Sequence, residues 1–171
     1  MNSSQKVGIL IENDYQELEF WYPYLRLQEE GIKPCIIGKE KTTYQSKLGY
    51  VATADQAAHD VENDDFAAII IPGGYAPDSM RVQKSMLNLV KHSFERGAVV
   101  AAICHAGWVL ISAGIVSGKK ATCYHTIQDD LKNAGAHYLD EPVVVDGNLI
   151  TSRQPDDLPV FCQKIIEQLK K

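Results

Sequence analysis

Residues Ala98–Trp108 read AVVAAICHAGW, and their reading decides the fold. Val99, Val100 and Ile103 among small alanines suit a short strand buried on both faces, as in a parallel sheet covered by helices. Large apolar groups at helical density begin only at Trp108–Ile111, so a strand runs into a helix with Cys104 at the junction. The wider window Gly97–Val116 holds twenty residues without a formal charge, long enough to cross a bilayer. Cys104-His105-Ala106-Gly107 interrupts it, and a strand of about five residues leading into a buried helix explains it without a membrane.

On either side the pattern repeats. Lys6–Glu12 (KVGILIE), Lys33–Ile37 and Phe66–Ile71 read as further buried strands. Glu17–Glu30 carries Leu18, Trp21, Tyr22 and Leu25 at helical spacing and stops at Gly31, while Pro23 inside it implies a kink or a broken first turn. Val82–Arg96 is an amphipathic helix closed by Gly97. A helix from His105 to about Ala113 follows the cysteine, then a strand at Ala121–Cys123 and a helix at Ile127–Asn133. Val143–Asp146 and Leu149–Thr151 flank a Gly147-Asn148 turn, and Asp157–Leu169 closes the chain as an amphipathic helix. Thr42–Asp55 is more polar and reads as a small extra hairpin around Lys47-Leu48-Gly49. Buried strands alternating with helices mean βαβ units and a mostly parallel sheet. Chemistry in such sheets gathers at the carboxyl ends of the strands, here the junctions Asn13–Glu19, Pro72–Asp78 and Cys104–Gly107.

The chain has 171 residues, 45% hydrophobic and 23% charged, with a formal net charge of −5. That is one domain over residues 1–171, without repeat or linker, which on folding buries roughly 69% of its extended-chain surface. Mild acidity argues against nucleic acid and anionic membranes as partners. The four cysteines, Cys35, Cys104, Cys123 and Cys162, form no C-x-x-C pair, and the first residues lack a secretory pattern. A reduced, cytoplasmic protein follows, with Cys35, Cys123 and Cys162 as packing residues.

Cys104 is different. A nucleophile on a sharp strand-to-helix corner needs small residues two positions either side, and Ala102 and Ala106 stand there. The corner points the sulfur at a helix N-terminus, which favours thiolate. Acyl transfer also needs donors for a developing oxyanion. The N–H groups of Gly74, in the Pro72-Gly73-Gly74 strand end, and of His105 are the natural pair. For a base the sequence leaves two candidates. His105 directly follows the nucleophile, and neighbours in a helix do not face each other; His125, beside Tyr124, is the other. His59, His92 and His137 lie in polar contexts and read as surface residues. No clustered ligand set points to a metal, and no cofactor is expected.

Five ordered stretches resemble the PfpI intracellular protease family of the ThiJ/PfpI superfamily, related to class I glutamine amidotransferases. They are KVGILIENDYQELEFWYPYLRLQEEG, IIIPGGYAPDSMR, AAICHAGWVLISAG with GKKAT, IQDDLKNAGA and VVVDGNLITSRQPDDLP. The resemblance implies a flavodoxin-like three-layer sandwich with Cys104 on a nucleophile elbow. It implies that Glu19 shares a proton with the sulfur, and that His105 is oriented by Asp78 of a neighbouring subunit, in a homo-oligomer. Read alone, Asp78 is a helix N-cap. Tyr124 and Ser152-Arg153 match further family positions, although Asp156 and Asp157 also read as caps of the last helix. Gln16 replaces an acidic residue of the protease branch, Cys-His-Ala-Gly-Trp replaces the commoner Cys-His-Gly-Pro, and Asp78 replaces a longer Glu. The implied function is a PfpI-type cysteine hydrolase of peptides in stress defence. The alternatives are a glyoxalase or deglycase acting on methylglyoxal or its protein adducts, and a redox sensor or chaperone.

Overall fold

The computed structural model describes residues 5–171. In chain order it contains β1 (Val7–Leu10), α1 (Glu17–Glu29), β2 (Cys35–Gly38), β3 (Thr43–Gln45), β4 (Val51–Thr53), β5 (Gln56–Ala57) and α2 (Ala58–Val61). There follow β6 (Ala68–Ile71), α3 (Ala76–Met80), α4 (Lys84–Glu95) and β7 (Val99–Ile103). A 3₁₀ turn, Cys104–Ala106, leads to α5 (Gly107–Ser112), β8 (Lys120–Ala121), a second 3₁₀ turn at His125–Ile127 and α6 (Gln128–Asn133). The chain ends with β9 (His137–Tyr138), β10 (Val143–Asp146), β11 (Leu149–Ser152), a 3₁₀ turn at Pro155–Asp157 and α7 (Leu158–Leu169).

Seven strands form the main sheet in the order β10-β11-β7-β6-β1-β2-β5. All neighbours are parallel except β10 and β11. In the middle Ile9 lies opposite Ile36 on one side and Ile70 on the other. β1, β6 and β7 are buried along their whole length, which is why they read as unbroken apolar runs. The helices flank the sheet in two groups: α1 packs on α7, while α4 packs on α2 and α5. This is the mostly parallel sandwich that the strand–helix alternation implies.

The charge-free window resolves into β7, the 3₁₀ turn and the six residues of α5. No helix among the described residues is long and apolar enough to cross a membrane. α1 runs through Pro23 without the broken turn its sequence allows. The missing Pro23 N–H leaves the Glu19 carbonyl without its helical donor, and the ring is buried near Leu27, Ile70 and Cys162. Gly31 stops the helix as expected, with Gly31 N–H donating to Gln28 O and Ile32 N–H to Leu27 O.

The polar segment is the expected hairpin, with Tyr44 opposite Ala52 across β3 and β4. It is tied to the loop after β1: Asp14 N–H donates to Gln45 O (2.8 Å), Gln45 N–H to Asn13 Oδ1 (3.0 Å) and Lys47 N–H to Tyr15 O (3.1 Å). At the sheet edges, the Asp55 carboxylate accepts from Ile36 N–H of β2 (2.9 Å) beside the two-residue β5. At the other edge, Asp146 at the end of β10 accepts from Lys120 N–H of β8 (2.8 Å).

Candidate active site

Three segments converge at the carboxyl ends of β1, β6 and β7. Cys104 has φ +62°, a left-handed conformation rare for a residue with a side chain. That corner removes the geometric objection to His105, whose Nδ1 lies 3.3 Å from Cys104 Sγ. His125 is exposed and its ring packs on Tyr124, with centroids 4.4 Å apart. Of the two candidate bases, the fold brings His105 to the sulfur.

Gly73-Gly74 passes beneath. A Cβ on Gly73 would lie 2.5 Å from Glu19 Oε2 and 2.7 Å from Cys104 Cβ, so the acid and the nucleophile meet over a bare Cα. Gly74 has φ +84°, and a Cβ there would strike the backbone of Asp14 and Gln16 at 2.5 Å. Its close approach is fixed by Tyr75 N–H donating to Asp14 O and Gln16 N–H donating to Gly73 O. The amides of Gly74 and His105 both reach the sulfur, which is the donor pair expected for an oxyanion. Gly73 N–H is committed elsewhere, donating to Glu19 Oε2 at 2.8 Å.

Glu19 is fully buried and its Oε1 has no hydrogen-bond partner among the described residues. Gln16 caps α1 through Glu19 itself, its Oε1 accepting from Glu19 N–H (2.9 Å). Burial pushes the Glu19 carboxyl up to about 7. Burial, and then the nearby Glu19 charge, push the Cys104 thiol up to about 12. Around neutrality the pair therefore gives up only one of its two protons. The carboxyl gives its proton up first, so around neutrality the sulfur keeps a proton that the Glu19 carboxylate is placed to take.

The rim contains residues that sequence reasoning missed. Thr126 Oγ1 lies 3.2 Å from His105 Nε2. Lys47, in the hairpin turn, stands over the Tyr75 ring at 4.5 Å. Burial, followed by the charges of Lys47 and His125, lowers the His105 pKa. Tyr124 is at the site as expected, its ring 5.1 Å from that of His105 and its N–H donating to Cys104 O. Trp108 stands 5.3 Å from the imidazole, anchored by Nε1–H donating to Asp130 Oδ2 (2.8 Å). Thr126 carried one local sign, its place two residues after the flagged Tyr124. Lys47 carried none, since only the fold of the hairpin brings it near.

Other expected residues lie apart. Asp78 is exposed and is not a cap: Tyr75 holds that position in α3 without a side-chain bond. Among the described residues Asp78 makes no side-chain hydrogen bond or ion pair. Arg153 is held by Asp140 (2.9 Å) and Asp157 (3.0 Å), and with Cys123 and His125 lines a cavity of about 240 Å³. Asp157 therefore spends its carboxylate on Arg153 and does not cap α7. Ser152 Oγ donates to Pro142 O. His59 and His137 are exposed, while His92 is half-buried beside Asp65. All four cysteines are free; Cys123 and Cys162 are buried and Cys35 half-buried.

A parallel α/β sandwich with a cysteine on a strand-to-helix elbow and a buried carboxyl against it defines a class of cysteine-centred, flavodoxin-like proteins. The chain belongs to the DJ-1/PfpI family, whose model matches residues 5–168. It is 40% identical over 165 residues to a deglycase of Thermococcus kodakarensis, covering 96% of this chain and 99% of that one. It is 39% identical over 165 residues to deglycase PfpI of Pyrococcus furiosus, with the same coverage. Among solved structures, a two-domain protein of Anabaena variabilis with DJ-1/ThiJ/PfpI-like and ferritin-like domains superposes with a TM-score of 0.95 at 41% identity. The match covers 98% of this chain and 48% of that one.

Proposed function

We propose that the protein is a cysteine-dependent hydrolase of the PfpI type whose main substrates are small dicarbonyls and their early adducts on amines, a glyoxalase and deglycase chemistry. The observation that carries this is Cys104 Sγ, 8% exposed as a residue, held between the Gly74 and His105 amides and the buried Glu19. The thiolate pair forms a C–S bond to a carbonyl carbon, and the carbonyl π pair moves to oxygen. The amides that held the sulfur charge are placed to take the oxygen charge, and the Glu19 proton is the nearest to neutralise it. With methylglyoxal, net addition of one water gives lactate. Peptide hydrolysis needs in addition a base that returns the thiol proton to a leaving amine, a demand that hydration of a dicarbonyl does not make. The deglycase names of the two relatives support the same preference. The Cys104–His105 contact at 3.3 Å supports peptidase activity as the second reading.

A panel of methylglyoxal and a fluorogenic peptide, run on the wild type and Cys104→Ala, tests both readings. Dicarbonyl turnover should fall to background in the variant, and full activity in Cys104→Ala would sink the proposal. We place the protein in a reducing cytoplasm, where such a thiol survives, and propose self-association through the apolar face of α1 and the hairpin. Leu18, Trp21, Leu25, Leu48 and Tyr50 there surround a groove of about 550 Å³.

A further inference from the structure

The turn that carries Lys47 is clamped to the surroundings of the nucleophile. Ser46 N–H donates to Tyr50 O and Tyr50 N–H to Ser46 Oγ, both at 2.8 Å, which closes the tip of the hairpin. Lys47 N–H donates to Tyr15 O (3.1 Å), and Tyr15 bridges to Gly74, whose amide reaches Cys104 Sγ. Tyr75 follows Gly74 directly, and the Lys47 ammonium lies 4.5 Å from the centre of its ring. A π face holds a cation without neutralising it or occupying all its N–H donors. The neighbouring Glu17 carboxylate accepts from Leu48 N–H, and Lys47 forms no ion pair among the described residues. Its charge extends inward and acts on both Glu19 and His105. The other charged groups that reach Cys104 and His105 are Glu19 and His125.

We propose that Lys47, braced on Tyr75, is a specificity-determining residue that draws the carboxylate of a substrate to the mouth of the Cys104 site. The preferred substrates are then carbonyl compounds that carry a carboxylate, above all dicarbonyl adducts of carboxylate-bearing thiols and amines. The inference rests on the cysteine-centred reading above and deepens it. The site divides its donors between two charges. The Gly74 and His105 amides serve the oxygen that becomes negative during reaction, while Lys47 serves a part of the substrate that does not react. Attraction of that kind is the same before and during the chemical step, so it belongs in KM and not in kcat. Methylglyoxal itself is neutral and gives the ammonium no partner. Because the lysine is exposed to solvent, the preference is modest, about threefold for one unit of charge.

The test uses two alkylating reagents that differ in charge, iodoacetate and iodoacetamide, with Cys104 modification followed by mass spectrometry. Wild type, Lys47→Met, Lys47→Arg and Lys91→Met are compared as full chains. The ratio of the two rates at one pH cancels any change in thiol ionisation. Lys47→Met should lower the iodoacetate-to-iodoacetamide ratio about threefold, and Lys47→Arg should keep it. Lys91→Met, which removes the same charge from α4, should also keep it. Salt at about 0.5 M should bring the wild type down to the Lys47→Met ratio. The methylglyoxal adducts of N-acetylcysteine and of its amide then separate KM from kcat. The acid should have the lower KM, by about threefold, a preference that Lys47→Met should lose. The inference is overturned if the reagent ratio is the same in Lys47→Met and wild type, or falls equally in Lys91→Met. It is also overturned if Lys47→Met and Asp78→Asn both lower the mass in light scattering and leave the ratio unchanged, since Lys47 would then answer a carboxylate of a second copy. Alkylation needs no turnover. A wild type inert toward methylglyoxal and its adducts would therefore defeat the proposed function while the reagent ratio still decides the role of Lys47.

Discussion

At Cys104 the backbone itself sets the chemistry. Its φ of +62° costs an L-residue about 1–2 kcal/mol, and in return turns the sulfur toward Glu19 while keeping Nδ1 of the next residue in reach. Glu19 imposes a second burden that depends on pH. Its carboxyl is raised from 4.5 to about 7. Below pH 4.5 it is protonated in both the folded and unfolded chain and changes nothing. Between pH 4.5 and 7 the native state keeps a proton that the unfolded chain releases, so stability falls as pH rises, by about 3 kcal/mol in all. Glu19→Gln should remove that slope: urea unfolding at pH 8 should show the variant gaining up to about 3 kcal/mol over wild type, relative to pH 4.5. Equal pH dependence of both proteins would refute this. Gly73→Ala should act on geometry. Its methyl would push the carboxyl and nucleophile apart, and dicarbonyl turnover should fall about 100-fold, with about 1–3 kcal/mol lost from overpacking. The motif around Cys104 and the Gly73-Gly74 strand end were legible in the sequence because each sits at a strand's end in a recognisable run, while Glu19, in the first turn of α1, was marked only by the family resemblance. Thr126 and Lys47 were not, because their roles arise from contacts across 21 and more residues that no local pattern encodes.

The elements divide in the same way. Long buried strands and α1, α4 and α7 announce themselves by apolar runs or periodicity. The pieces absent from the sequence reading are α2, α3, β5 and β9, each five residues or fewer. Fewer than two helical turns cannot display a period, and a two-residue strand is defined only by its partner. The Gly147-Asn148 turn is a further case where a correct local reading stopped short. Asn148 does more than turn the chain: its Nδ2 donates to Phe94 O (2.9 Å) and Ala98 O (2.7 Å), joining the end of α4 and the start of β7 to the β10–β11 hairpin. Asn148→Ala should cost about 1–2 kcal/mol and lower Tm by roughly 2–8 °C, measured by thermal unfolding, with the methylglyoxal KM unchanged. An unaltered Tm would mean that water replaces both bonds.

Across the whole molecule, the apolar groove on α1 and the hairpin sits on the surface next to the site's own supports. Glu17, in the first turn of α1, accepts from Leu48 N–H in the hairpin turn, and Leu18 and Leu25 are each 55% exposed. If a second copy covers this face, replacing both leucines by Asp should shift the mass in light scattering from dimer or larger to monomer. Monomer folding should be little affected, since neither side chain is buried. A wild type that is monomeric at micromolar concentration would overturn the self-association proposal. The sheet margins have a different consequence. At one end β5 is too short to template another strand, and the Asp55 carboxylate already occupies an amide of the strand beside it. At the other, Pro142 precedes β10 and the Asp146 carboxylate closes its far end against β8. Open-ended strand addition, the route to fibrils, is thereby blocked at both margins. Crowding such molecules together favours discrete assemblies over aggregates that grow without limit.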